Sequence, residues 1–195
     1  DDYCDLMDNA VMCMPDGMPL VWMAKLNGLR CVKRTTGPDL LVTMLKNRDT
    51  GIRHFLLGDT DDTLNKIKEL YKDSLIVGTY SPPFVSIEDF DYDDIVSRIK
   101  NSCADVVWIS LNFPKQDFFA QKIQSYVPNK IFIGVGAGFR FASGEYKHPP
   151  KLIQKLGLTG FFWRKISIKM LGIYFYYSLK LLQYALEIIL MRITK

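Results

Sequence analysis

Short apolar runs alternate with amphipathic segments over the first 150 residues of the chain. Between the runs, apolar residues recur at helical spacing, as Leu64, Ile67 and Leu70 do. Strand-length runs that alternate with helices are typical of a mostly parallel sheet covered by helices on both faces. The pattern therefore predicts an α/β fold built on a Rossmann-like sheet. The candidate strands are residues 10–14, 31–35, 52–57, 75–79, 106–111 and 131–135.

Helix signals fill the gaps between these runs. A helix is expected to open at Thr36-Gly37-Pro38-Asp39, because proline suits a first helical turn and aspartate suits the positive end of the helix dipole. The acidic residues 59–62 resemble the Asp-x-Asp motif of metal-dependent sugar-nucleotide enzymes, but they are expected to cap the next helix. The helices are predicted at residues 1–7, 20–26, 37–46, 64–70, 95–99, 115–126 and 151–156.

The character of the chain changes after residue 148. We expect an α/β domain over residues 1–150 and a helical C-terminal appendage over residues 151–195. The stretch at residues 171–191 is long enough to span a bilayer, and it contains only two charged side chains. Its internal charges and tyrosines favour a helix that lies in the membrane interface, while a helix docked on the core remains the alternative. The flanking cations are Lys165, Lys169, Arg192 and Lys195.

Composition narrows the class of protein. The chain has 195 residues, a net charge of +4 and a pI near 8.8, which is too weakly basic for a dedicated nucleic-acid binder. Its four cysteines show no Cys-x-x-Cys pair, and its two histidines are scattered, so neither a metal site nor a disulfide scaffold is expected. No cofactor is expected. Because the chain begins with Asp1 and not with methionine, we expect a preceding segment.

The turn Met14-Pro15-Asp16-Gly17 is the first candidate for chemistry. Proline fixes one backbone angle, aspartate can bond the backbone ahead of it, and glycine tolerates a positive φ. If the preceding apolar run is a strand, Asp16 lies at its carboxyl end, where open α/β sheets bind their ligands. A plain turn explains the same residues.

Two further stretches follow predicted strands. Gly134-Val135-Gly136-Ala137-Gly138 permits close approach to a phosphate or a sugar, but it departs from the dinucleotide-binding spacing. In Asn112-Phe113-Pro114-Lys115-Gln116-Asp117, the last three residues lie on the first turn of a helix, where a phosphate can bind and a glutamine amide can read a uracil. Helix capping is the alternative for this second stretch.

The order of motifs resembles the WecG/TagA/CpsF family of glycosyltransferases over about residues 3–165. The resemblance rests on the ordered set and not on any single motif. The motifs are Met14-Pro-Asp-Gly17, Arg34-Thr-Thr-Gly-Pro-Asp-Leu40, Phe55-Leu-Leu-Gly58, Ile76-Val-Gly-Thr79, Asn112-Phe-Pro-Lys-Gln-Asp117, Ile133-Gly-Val-Gly-Ala-Gly-Phe139, Ser143-Gly144 and Lys147-His-Pro-Pro150.

This resemblance implies an inverting transfer of a sugar, of the N-acetylmannosamine type, from a UDP-sugar to a polyprenyl-diphosphate-linked acceptor. It places the protein peripherally on the cytoplasmic face of the plasma membrane, in cell-surface polysaccharide or teichoic acid synthesis. Asp16 matches the family's proposed general base, without a metal. The residues expected to bind the donor are Arg34, Thr36, Asp39, Gly58, Gly78, Lys115, Gln116, Gly134 and Gly136. Those expected to meet the lipid-linked acceptor are Arg164, Lys165 and Lys169.

Some positions depart from the family pattern. Asn112 stands where the family has glycine, and Arg140 stands where it has aspartate, which reverses the charge. The reversed charge at Arg140 and an altered C-terminal tail motivate a second hypothesis, a non-catalytic binding or scaffold subunit of a polysaccharide assembly complex. A third hypothesis, a dinucleotide oxidoreductase, rests on the glycine run alone. The sequence leaves open whether the chain forms a homo-oligomer.

Overall fold

A computed structural model describes residues 2–155 and residues 180, 183, 184, 186 and 187. The chain divides into two compact units, Asp1–Cys13 with Thr36–Lys147 and Met14–Thr35 with His148–Lys195. The predicted interfacial helix at residues 171–191 lies largely outside the described residues, as do the predicted acceptor-binding residues Arg164, Lys165 and Lys169.

A four-stranded parallel sheet organises the first unit. The strands are β1 (His54–Gly58), β2 (Ile76–Tyr80), β3 (Val106–Ser110) and β4 (Ile131–Gly134), in the spatial order β2-β1-β3-β4. They confirm four of the six predicted strands. The chain runs outward from β1 to β2 and then crosses to β3 on the other side of β1, so the strand order reverses between β1 and β3.

The two central strands are buried along their whole length. Phe55 and Leu57 of β1 pack with the β3 residues facing the same way, while Leu56 packs on the opposite face with Trp108. Two hydrophobic cores therefore lie on the two faces of the sheet. This arrangement is what a run without polar interruptions requires, because both sides of each strand must avoid water.

Eight α-helices lie among residues 2–155. They are α1 (Asp2–Asp8), α2 (Met18–Leu26), α3 (Gly37–Lys46), α4 (Asp61–Leu70), α5 (Tyr92–Ser102), α6 (Lys115–Gln124), α7 (Gly138–Ala142) and α8 (Lys151–Lys155), and a 3-10 turn spans Arg48–Thr50. Helices α5 and α6 supply one core, and α3, α4 and α7 supply the other. The expectation of helices on both faces is thus confirmed.

Side-chain caps fix the beginnings of α3 and α4, which pack on the same face of the sheet. Thr36 Oγ1 accepts a hydrogen bond from Asp39 N at 3.1 Å, and Thr60 Oγ1 accepts one from Thr63 N at 3.3 Å. Each satisfies a backbone donor that has no partner within its helix. The Asp-x-Asp-like stretch at residues 59–62 is therefore the start of α4, with the threonine as its cap.

The runs at 10–14 and 31–35 are not strands, so this part of the prediction is wrong. Val11 is 99% exposed and Met12 is 77% exposed. Thr35, at the end of the second run, donates its N–H to the carbonyl of Pro15, which follows the first run, at 3.1 Å. Proline has no N–H to return, so Pro15 cannot continue a ladder of hydrogen bonds.

Buried His54 makes the stability of the fold depend on pH. It is 2% exposed, and its Nδ1 accepts a hydrogen bond from Trp108 Nε1 at 3.1 Å. Burial lowers the pKa of His54 below its ordinary value of 6.5. In the unfolded chain the ring binds a proton below about pH 6.5, whereas in the folded chain it binds the proton only at lower pH, so the free energy of unfolding falls as the pH drops below about 6.5.

Chemical unfolding between pH 7.5 and 5.5 should therefore show a loss of up to about 1.4 kcal/mol per pH unit below pH 6.5. His54→Gln keeps a hydrogen-bond acceptor for Trp108 but cannot titrate, so it should flatten that dependence. An equally steep dependence in His54→Gln would assign the effect to other groups.

Candidate functional site

The carboxyl end of β1 is built for close approach to β3. Gly58 has φ +120° and Asp59 has φ +56°. A Cβ on Gly58 would lie 2.7 Å from the Ser110 carbonyl carbon, which is inside any real contact distance. Only glycine fits here. The predicted site residue Gly58 ends β1, next to β3, where the strand order reverses. Ligands of open α/β sheets bind at this kind of position.

The glycine run after β4 is held on two sides. Ser110 Oγ donates to the Gly136 carbonyl at 2.6 Å, and Gly136 N donates to Gln116 Oε1 at 2.8 Å. A Cβ on Gly134 would lie 2.9 Å from Gln116 Nε2. Three predicted residues, Gly134, Gly136 and Gln116, are therefore brought together at the carboxyl edge of the sheet. Here the Gln116 amide fixes the loop backbone.

The beginning of α3 reaches the same loop. A Cβ on Gly37 would lie 2.9 Å from Val135 Cα, so the helix start packs directly against the glycine run. Thr36, which is 5% exposed, caps the helix, and Asp39 lies exposed in its first turn. Helix α3 has ten residues, and its N-terminal N–H groups favour negative charge.

An ion pair that the motif analysis did not anticipate closes this edge. Arg140 Nε donates to Asp59 Oδ2 at 3.1 Å, and the Asp59 side chain is only 6% exposed. The Asp59 carbonyl also accepts from Ser81 Oγ at 2.7 Å, while Arg140 Nη1 donates to Tyr146 Oη at 3.0 Å. The hydrogen bonds to Tyr146 and Asp59 raise the pKa of Arg140. The charge reversal at residue 140 therefore comes with a nearly buried carboxylate that it neutralises.

Two predicted donor-binding residues have other contacts. Lys115 Nζ donates to the Val85 carbonyl and lies 4.4 Å from the centre of the Phe90 ring. Gly78 lies inside β2, where a Cβ would approach to 2.5 Å from Phe55 Cδ2. Lys115 thus pins the loop before α5, and Gly78 makes room for an aromatic ring. The structure does not bring Gly78 to the glycine run.

Helix α1 contributes a contact at the start of α6. Tyr3 Oη donates to Asp117 Oδ2 at 3.2 Å, and the Tyr3 ring lies edge-on to Phe113 with 5.3 Å between centroids. Burial raises the pKa of Asp117, although the bond from Tyr3 opposes the shift. Because Asp117 follows Gln116 directly, this contact helps to set the first turn of α6. Sequence reasoning missed Tyr3.

The second unit joins two predicted residues to each other. Arg34 Nε donates to the Asp16 carbonyl at 2.5 Å, and Arg34 Nη2 donates to Asp16 Oδ1 at 3.3 Å. Arg34 Nη1 donates to Gln154 Oε1 at 3.2 Å, and Gln154 Nε2 donates to the Pro149 carbonyl at 2.7 Å. The Arg34 side chain is 19% exposed and that of Asp16 is 67% exposed. The guanidinium thus orients an accessible carboxylate.

Gln154 is a further residue that sequence reasoning missed, since only its position in a predicted helix was noted. Ser110 is another, and its place at the end of an apolar strand was the available signal. Among the described residues, no group of three His, Cys, Asp or Glu side chains could hold a metal ion.

Comparison with known proteins gives consistent results. A family model described as the glycosyl transferase WecG/TagA/CpsF family matches residues 1–190. Two curated relatives are each named N-acetylglucosaminyldiphosphoundecaprenol N-acetyl-beta-D-mannosaminyltransferase. The Bacillus spizizenii (strain ATCC 23059 / NRRL B-14472 / W23) protein is 27% identical, over 80% of this chain and 61% of its own. The Bacillus subtilis (strain 168) protein is 29% identical, over 83% of this chain and 63% of its own. The chain thus spans about three fifths of each relative's length.

Gly58→Ala should destabilise the protein much more than Gly51→Ala. Both glycines have positive φ, but no atom lies within 4 Å of a Cβ built on Gly51. The Gly51 variant should lose about 1 kcal/mol of unfolding free energy from backbone strain alone. The Gly58 variant should lose at least about 2 kcal/mol more, because β1 and β3 must separate. Urea unfolding measures both, and equal losses would contradict the close approach.

Proposed function

Because the chain belongs to the WecG/TagA/CpsF family of glycosyltransferases, we propose that it transfers a sugar from a UDP-sugar to a polyprenyl-diphosphate-linked acceptor. The names of its curated relatives support an acceptor that carries N-acetylglucosamine and a donated sugar of the N-acetylmannosamine type. The transfer inverts the anomeric centre. It contributes to the synthesis of a cell-surface polysaccharide or teichoic acid.

The contact between Arg34 and Asp16 carries the proposal. The two residues lie in separate motifs, yet three hydrogen bonds from Arg34 tie it to Asp16 and Gln154. General-base catalysis needs a carboxylate that substrate can reach and that the protein holds in one orientation. Asp16 meets both conditions, since its side chain is 67% exposed and its backbone carbonyl is also bonded to Arg34.

In the proposed reaction Asp16 removes the proton from the acceptor hydroxyl. The hydroxyl oxygen forms a bond to the anomeric carbon of the donor sugar, and the bond from that carbon to the diphosphate oxygen breaks. UDP departs with the electron pair of that bond. Arg34 holds the carboxylate in position through its bond to Asp16 Oδ1.

The carboxyl edge of the sheet supports binding of the nucleotide. Gly58 and Gly134 admit the close packing that shapes this surface, and Gly136 has open space where a side chain would stand. The start of α3 offers a positive dipole end. Gln116 and Thr36 fix the backbone around this surface. We assign Asp39 to its rim. Lys115 and Gly78 support it indirectly through the contacts described above.

We propose that the protein acts peripherally at the cytoplasmic face of the plasma membrane, where its lipid-linked acceptor would lie. Among the residues that the structure describes, no helix has the length and apolar character needed to cross a bilayer. Arg164, Lys165 and Lys169 remain the proposed contacts for the lipid diphosphate.

The scaffold hypothesis loses part of its motivation. It rested on the reversed charge at Arg140 and on the altered tail, and Arg140 has a partner in Asp59. The tail lies largely outside the described residues. The dinucleotide oxidoreductase hypothesis rested on the glycine run, and the family match gives it no support.

Asp16→Asn in the full-length protein should lower kcat by at least about 10²-fold, because an amide cannot accept the acceptor's proton. UDP affinity and the unfolding midpoint should stay near wild type. The assay measures UDP release and product mass with a polyprenyl-diphosphate-N-acetylglucosamine analogue. Asp73→Asn is the matched control, because Asp73 is also half exposed and paired with an arginine, Arg48. Full turnover by Asp16→Asn would remove Asp16 from the base role.

A screen of UDP-sugars against the same acceptor analogue should give one product, with the mass of an added N-acetylhexosamine. If wild-type protein binds UDP and the acceptor but transfers no sugar from any donor, the scaffold hypothesis replaces the enzymatic one. Failure to bind UDP would contradict the nucleotide assignment at the sheet edge.

A further inference from the structure

Helix α2 is apolar on every side but is not buried. Its nine residues, Met-Pro-Leu-Val-Trp-Met-Ala-Lys-Leu, include one polar side chain, that of Lys25. A helix of this composition is expected to lie inside a core or against a partner. In α2 only Val21 is buried.

The exposed apolar side chains of this region are large. Trp22 is 46% exposed and Leu26 is 36% exposed, and their four-residue spacing puts both on one side of α2. Leu20 and Leu29 are each 56% exposed. Scattered exposed leucines are ordinary on a protein surface, whereas four large apolar residues within ten positions form a surface that favours a partner.

The backbone holds this segment in a defined shape. Gly28 has φ +88° and donates to the Lys25 carbonyl, while Leu29 N donates to the Ala24 carbonyl. This pair of bonds is a Schellman motif, which needs a residue of positive φ after the helix. The bond from Thr35 N to the Pro15 carbonyl closes the base of the segment. We call residues 15–35 the α2 excursion.

After Asp16, every charged side chain of the α2 excursion is positive. Lys25, Arg30 and Lys33 are exposed, and no Asp or Glu occurs between Asp16 and Asp39. Large apolar side chains interleaved with cations match the boundary of an anionic bilayer, where the apolar groups enter the acyl region and the cations meet lipid phosphates.

Another exposed apolar loop of the described chain lacks this charge. Phe84 is 97% exposed, but Glu88, Asp89 and Asp91 follow it within seven residues. Anionic headgroups would repel that loop. The combination of apolar exposure and positive charge therefore singles out the α2 excursion.

We propose that the α2 excursion docks onto anionic phospholipid, with Trp22 and Leu26 in the interface and Lys25, Arg30 and Lys33 against lipid phosphates. This contact is additional to the one proposed for residues 165–195. It does not depend on the identity of the donor sugar. Because Asp16 and Arg34 lie at the base of the same segment, docking brings the proposed catalytic carboxylate to the surface on which a polyprenyl-linked acceptor resides.

The test measures co-sedimentation of the full-length protein with vesicles of phosphatidylcholine, with and without phosphatidylglycerol, in the absence of donor. Wild type should bind the anionic vesicles, and added salt should weaken the binding. Lys25→Gln with Arg30→Gln should lower partitioning by about fivefold for each cation removed. Trp22→Ser with Leu26→Ser should lower it at least as much. Trp22→Phe should remove a blue-shifted component of tryptophan fluorescence that appears with vesicles.

Matched control variants lie on α4. Leu70 is 61% exposed and Lys68 is exposed, so Leu70→Ser and Lys68→Gln make the same chemical changes elsewhere. Both controls should bind vesicles like wild type. The glutamine variants alter only exposed side chains, so they test the proposal even if the serine pair fails to fold.

Three results would overturn the proposal. The first is wild-type protein that binds neither vesicle type, and the second is α2 variants that bind as wild type does. The third is a pair of α2 variants that change the sedimentation-velocity mass but not vesicle binding, which would assign the surface to a second copy of the chain. Deletion of residues 165–195 should reduce vesicle binding without abolishing its dependence on Lys25 and Arg30. These outcomes are independent of whether UDP binds or sugar is transferred.

Discussion

Burial of both faces of β1 and β3 is the constraint on which the first unit depends. Every residue of these two strands is buried, and their side chains alternate between two separate cores. Such strands have room for polar side chains only at their ends. His54 stands at one end of β1 and Ser110 at the opposite end of β3, and each has a hydrogen-bond partner. Polar and reactive side chains of the sheet are therefore confined to the two ends of its strands, the amino end and the carboxyl end.

The two ends differ in what they offer. Before the strands, Arg53 binds Asp105 through two side-chain bonds, of 3.0 and 2.7 Å, and holds the pKa of that carboxyl well below its usual range. This pair joins the starts of β1 and β3. After the strands, Gly58 and Gly134 allow close packing against Ser110 and Gln116, and the Asp59–Arg140 ion pair follows Gly58 directly. The start of α3 packs against the glycine run at this second end and adds the positive end of a helix dipole.

Patterns within a few residues predicted the strands of the sheet, but they could not predict contacts between residues that are distant in sequence. The four apolar runs that form the strands and the helix start at residues 36–39 could be read from spacing, because each depends on neighbours within a few residues. The run at 10–14 looked like a strand, but strands also need a pairing partner, and Pro15 cannot donate to one. The bonds from Tyr3 to Asp117 and from Arg34 to Gln154 span 114 and 120 positions, and no local rule links such residues. The motif order located Arg34 but not what orients it.

The geometry of Arg34 allows it both to hold the Asp16 carboxylate and to bind an anionic oxygen of a substrate. Among the described residues, its bonds to Asp16 and Gln154 use three of the five guanidinium N–H groups. The remaining donors leave it able to hold the carboxylate and still meet an anionic oxygen. A lysine would keep the charge, but its three donors have no planar fork, so it could not hold the Asp16 carbonyl and carboxylate together while reaching Gln154. The need for an arginine at this position follows from the number and direction of its donors as much as from its charge.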